Sequence, residues 1–61
     1  MDYQSYYDRG FCLETLGKYH EAIESYKQAI DYNANFFEAF YSTGYCYDLL
    51  GEHESAIHAY N

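Results

Sequence analysis

The chain has no proline and no tryptophan, only two cysteines, and only three lysine or arginine residues against ten carboxylates. Each shortage narrows what it can do. Arg9, Lys18 and Lys27 all lie in the first half, and residues 35–61 carry no lysine or arginine, for a net charge of −7. Nucleic acids and anionic membrane surfaces are held by clustered cations, so neither is expected as a partner; basic partners suit the charge. Apolar runs are short, as at Phe11-Cys12-Leu13, so no membrane span is expected. Met1-Asp2-Tyr3-Gln4 has no basic region and no apolar stretch and does not read as a secretory leader. A chain of 61 residues forms one small domain with a marginal core. No phosphate-cradling G-x-x-x-x-G-K, no G-x-S-x-G and no cysteine–histidine pair at plausible reach occurs. No enzymatic activity and no cofactor are expected.

Aromatic residues are abundant: ten tyrosines and four phenylalanines. So small a core cannot enclose them all, and rings left at the surface favour contact with other molecules. The chain also repeats itself. Shifting it by 34 residues superposes Tyr7 on Tyr41, Gly10 on Gly44, Cys12 on Cys46, Leu16 on Leu50, Gly17 on Gly51, Ala22 on Ala56, Ile23 on Ile57 and Tyr26 on Tyr60. Tyr3/Phe37, Tyr6/Phe40, Phe11/Tyr45 and Glu14/Asp48 exchange like for like. These are mostly packing residues, so the repeated unit is structural.

Each unit reads as two helices. Tyr3, Tyr6, Tyr7, Leu13 and Leu16, with small Gly10 between, follow a helical period. Gly17 ends this first helix in the manner of a left-handed terminal residue. A second helix starts near Tyr19, carries Ala22, Ile23, Tyr26, Ala29 and Ile30 on one face, and ends at Asn33-Ala34-Asn35. A third starts with the capping-box pattern Asn35-x-x-Glu38 and runs to Gly51; a fourth begins near Glu52. Gly10 against Ala22, and Gly44 against Ala56, are expected to let paired helices approach closely.

These residues resemble the tetratricopeptide repeat (TPR), whose pattern is W-x2-L-G-x2-Y, then A-x3-F, then P. The first copy reads Tyr6-x2-Arg9-Gly10-x2-Leu13, then Ala22-x3-Tyr26; the second reads Phe40-x2-Thr43-Gly44-x2-Tyr47, then Ala56-x3-Tyr60. Arg9 and Thr43 replace the family leucine, and Ala34 replaces the proline between repeats. The resemblance implies an all-α fold of two antiparallel helix-turn-helix hairpins, residues 3–34 and 35–61, in a short right-handed solenoid of about 1.8 repeats. Such a fragment belongs to a longer array or associates. Without proline, the second and third helices are free to join and exchange hairpins between copies, so a domain-swapped homo-oligomer is one expectation.

The resemblance further implies a concave face lined by the first helix of each pair, serving protein–protein interaction. Tyr7, Phe11 and Glu14 on one helix, and Glu38, Tyr41, Tyr45 and Asp48 on the other, form its aromatic and acidic stripe. The expected partner is a protein or peptide with apolar or basic side chains. The positions that grip a peptide's terminal carboxylate in some TPR proteins hold Tyr7, Phe11 and Ser42 here, so that clamp is not expected. Cys12 and Cys46, one repeat apart and outside disulfide reach, read as small buried packing residues in a reduced, cytoplasmic protein. His53-Glu54-x3-His58 is one residue longer than the zinc-protease motif, which swings its imidazoles apart by about 140° on a helix. No metal site is expected.

Overall fold

The computed structural model describes residues 2–60, apart from the side chains of His53 and Glu54. Four helices follow in order: α1 (Tyr3–Thr15), α2 (Tyr19–Tyr32), α3 (Phe37–Leu49) and α4 (His53–Tyr60). α1 packs on α2, α3 on α4, and α2 on α3. No strand occurs among the described residues.

The two hairpin turns are built alike. Gly17 and Gly51 both adopt φ 79°, a region costly for residues with a Cβ. At the first turn the Lys18 N–H donates to the Leu13 carbonyl at 2.9 Å and the Gly17 N–H to that of Glu14 at 2.9 Å. At the second, Glu52 donates to Tyr47 at 2.8 Å and Gly51 to Asp48 at 3.0 Å. Both are Schellman endings, which satisfy the last carbonyls of a helix and reverse the chain.

The link between hairpins differs. α2 ends at Tyr32, and Asn33 turns extended (φ −143°). Its side-chain oxygen accepts from the Asn35 N–H at 3.2 Å, and its carbonyl accepts from Phe36 N–H at 3.1 Å. A compact asparagine turn thus separates α2 from α3 in place of proline. The capping box expected at Asn35 and Glu38 is not formed: the residue before α3 is Phe36, and no side chain caps that helix. Phe36 takes this position because its ring is drawn into the core, edge-on to Tyr3 at 5.0 Å and tilted against Tyr7 at 4.9 Å.

The core has two connected parts. Ala22, Ile23, Tyr26 and Cys46 form one, flanked by Tyr7, Leu13, Tyr19, Tyr47 and Leu50; Ala29, Phe36 and Ala39 form the other, with Tyr6, Tyr7 and Ile30. Each draws on both hairpins, so α3 ties the molecule together. Gly10 meets a partner other than the expected Ala22. A Cβ placed there would lie 2.6 Å from two ring carbons of Tyr26, and one on Gly44 would lie 2.6 Å from Tyr60 Cε1. The glycines make room for the flat face of the tyrosine sixteen positions on. Cys12 is exposed while Cys46 is buried, which corrects the expectation that both are buried. Cys46 on α3 packs against Ala22, Ile23 and Tyr26 of α2, whereas the equivalent Cys12 on α1 is exposed.

Candidate functional site

A repeated constellation fixes the stripe on α1 and α3. In the first hairpin the Tyr26 hydroxyl crosses from α2 and donates to Glu14 Oε1 on α1 at 2.7 Å. In the second, the Tyr60 hydroxyl crosses from α4 and donates to Asp48 Oδ2 on α3 at 3.0 Å. Glycine, carboxylate and tyrosine recur at the same offsets, so the lock is one device used twice. The Tyr7–Tyr26 ring contact at 5.5 Å is likewise matched by Tyr41–Tyr60 at 5.0 Å.

The seven expected site residues divide into two groups. Tyr7 is half-buried and holds Phe36 and Tyr26 in place. Glu14 is also half-buried; besides Tyr26 it accepts the Cys46 thiol of the next hairpin at 3.6 Å. These two side chains are engaged inside the fold, and Asp48 is partly so through Tyr60. Phe11, Glu38, Tyr41 and Tyr45 point outward: Phe11 is 56% exposed, Tyr41 70% and Tyr45 49%. Leu49, 46% exposed, extends this apolar surface.

The buried hydrogen bonds set the chemistry of their donors. Burial pushes the Cys46 thiol up to about 12, and the charge and hydrogen bond of Glu14 add to it. Burial, then Glu14, raises the Tyr26 phenol. A thiol held protonated is a poor nucleophile. At pH 8, iodoacetamide is expected to alkylate Cys12 in the folded chain and to spare Cys46 until denaturant is added, as read by mass spectrometry; equal labelling of both would contradict the buried Cys46–Glu14 contact. The same shift links stability to pH. An unfolded thiol loses its proton above 9.0, while Cys46 keeps it to about 12 when folded. Over that window the unfolded state binds fewer protons, so stability falls as pH rises, and the Tyr26 shift acts in the same sense. The melting temperature is expected to drop progressively above pH 9, and less steeply in Cys46→Ala.

Two hollows were not anticipated from the sequence. One of about 490 Å³ lies between α2 and α4 above α3, with Ile30, Phe40, Tyr47, His58 and Ala59 in its walls. The other, about 270 Å³, lies at the outer end of the second hairpin between Phe37, Phe40, Tyr41, His58, Ala59 and Tyr60. Among the described residues no group of three histidine, cysteine, aspartate or glutamate side chains is placed to hold a metal ion. The His53 and Glu54 side chains of the zinc-protease-like motif lie outside the described residues.

The family model described as TPR repeat matches residues 15–51, from the end of α1 to the turn after α3. The chain belongs to the TPR repeat family. Comparison with curated proteins and with solved structures gave no match. TPR repeats are non-enzymatic scaffolds that mediate binding between proteins. No described helix is long and apolar enough to cross a membrane.

Proposed function

We propose that this TPR chain, with repeats at 3–34 and 35–61 in a right-handed turn, binds a basic or apolar peptide segment along the α1–α3 face. The supporting observation is the exposure of the rings of Phe11, Tyr41 and Tyr45 and of the carboxylate of Glu38, the last three of these in residues 35–61, which hold no lysine or arginine. Ring faces and carboxylates both attract guanidinium and ammonium groups, and the aliphatic stems of lysine and arginine pack on the rings. Tyr7, Glu14 and Asp48 contribute by holding the helices that carry this surface.

The test uses a lysine- and leucine-rich peptide. Its affinity is expected to fall at least ~5-fold between low and high salt, because exposed charges are screened within about 10 Å at 0.1 M. Phe11→Ala with Tyr45→Ala is expected to weaken it ~10-fold or more, equivalent to about 1.4 kcal/mol, with helical circular dichroism unchanged because both rings face solvent. Affinity indifferent to salt and to both substitutions would remove this reading. A second reading, self-association by stacking or hairpin exchange with no outside ligand, is favoured by the exposure of Phe37 and Tyr41. It requires a sedimentation coefficient that rises with concentration.

A further inference from the structure

The hollow between α2 and α4 occupies a place that recurs in both hairpins with different chemistry. In the first hairpin Arg9, Leu13, Glu21, Glu24 and Ser25 border a recess of about 230 Å³. The 34-residue repeat puts Thr43, Tyr47, Ser55, His58 and Ala59 at the same positions of the second, and all five border the 490 Å³ hollow. The arginine and both glutamates have become threonine, serine and histidine.

Cover by α2 explains only part of this change. Lys27, Ile30 and Asp31 of α2 form the third wall, and charged side chains brought against another helix lose water. Packing alone would then fill the space with large apolar residues, because interiors are close-packed. Thr43, Ser55 and Ala59 are small and leave it open. Room of this size between helices, with apolar walls and a few polar groups, suits a small molecule.

The walls define what fits. Phe40, Tyr47 and Ile30 are half-buried and suit a flat apolar body. Thr43 is 4% exposed, and its hydroxyl donates to the Ala39 carbonyl at 2.7 Å. What it has left for a ligand is lone pairs, so it favours a donor. At the rim Lys27 and Asp31 stand one turn apart on α2, ~6 Å along the axis. Lys27 also borders the adjoining recess, together with Glu21, Glu24 and Glu52. Four carboxylates therefore surround one ammonium group along the two recesses. The field draws in a cation and repels an anion. Lys27 directs that cation to the Asp31 end.

We infer that the hollow bounded by α2, α3 and α4 binds a small aromatic amine, its ring against Ile30, Phe40 and Tyr47 and its ammonium group at Asp31. This site uses none of the residues proposed to hold a peptide on α1 and α3, and its evidence is separate from that reading.

The probe is tryptamine, titrated into the isotope-labelled full chain and followed by amide chemical shifts. Saturable shifts are expected at Ile30, Asp31, Phe40, Tyr47 and Ala59. Indole-3-propionate has the same ring and linker with a carboxylate in place of the ammonium group, and it should bind at least ~10-fold more weakly. Asp31→Asn should weaken tryptamine by ~3-fold to 5-fold, as suits an exposed ion pair. Ala59→Leu extends a side chain from a half-buried position into the hollow, and it should abolish the saturable shifts with circular dichroism unchanged. Equal binding of the two indoles overturns the inference, as does undiminished tryptamine binding by Ala59→Leu. Should that variant lose helicity, exposed Asp31→Asn decides, and unchanged affinity there overturns the inference. Tryptamine shifts centred on Phe11, Tyr41 and Tyr45 would assign the amine to the α1–α3 face and also overturn it.

Discussion

Replacing Tyr26 by alanine is expected to leave the chain mostly unfolded at 25 °C. Tyr26 is fully buried, packs its ring against the Gly10 gap and against Tyr7, and joins the two helices of its hairpin through Glu14. Truncating a buried aromatic residue to alanine costs about 3–5 kcal/mol. At ~0.05–0.15 kcal/mol per residue, a domain this small has about 3–9 kcal/mol in total, so the loss is comparable with everything available. Tyr26→Phe keeps the ring and deletes the hydroxyl, leaving Glu14 half-buried with one donor fewer; about 1–2 kcal/mol is expected to go. Circular dichroism with urea denaturation separates the two: collapse of helicity in Tyr26→Ala, a shifted but cooperative transition in Tyr26→Phe. A stable, fully helical Tyr26→Ala would show that the lock does not hold the hairpin.

Gly10→Ala is expected to destabilise although it raises helix propensity. The substitution gains about 1 kcal/mol within the helix. Its Cβ meets two carbons of the Tyr26 ring at 2.6 Å, and that ring is enclosed and cannot step aside. Overpacking of this kind costs ~1–3 kcal/mol and sometimes more, so a net loss of about 1–2 kcal/mol is expected. Gly44→Ala makes the same approach to Tyr60. Tyr60 is 41% exposed and can swing outward, so its loss should be smaller by about 1 kcal/mol. The sign reverses in a background without the ring: added to Tyr26→Ala, Gly10→Ala should stabilise by its propensity alone. The resulting coupling between contacting positions, measured under stabilising osmolyte so that all four proteins fold, is expected at ~2 kcal/mol or more. Simple additivity would break the proposed contact.

The physical reasons why parts of this fold were legible are specific. Gly17 and Gly51 announce the hairpin turns because a left-handed residue is needed there and few others serve. Gly10, Ala22 and Tyr26 recur at 34 residues because they pack within each unit. What failed depends on neighbours outside the unit. Cys12 and Cys46 occupy equivalent positions, yet one is exposed and one is buried, because Cys46 packs on α2 of the other hairpin, a contact the repeat pattern itself does not encode. Asn35 and Glu38 have the spacing of a capping box, but Phe36 lies between them, and burying its ring outweighs a surface hydrogen bond. Glu14 reads as a groove anion because it shares a helical face with Tyr7 and Phe11. The pairing that turns it inward, a tyrosine twelve residues on in both repeats, is present in the sequence as Glu14–Tyr26 and Asp48–Tyr60 and is a recoverable signal.

The functional account stands on where a partner lies. An amide shift map of the full chain with the lysine- and leucine-rich peptide, recorded at low salt, tests this most directly. The account expects the largest shifts at Phe11, Glu38, Tyr41 and Tyr45, collapsing as salt is added. Shifts concentrated instead at Ile30, Tyr47, His58 and Ala59, around the hollow between α2 and α4, would place recognition on the opposite surface and contradict it.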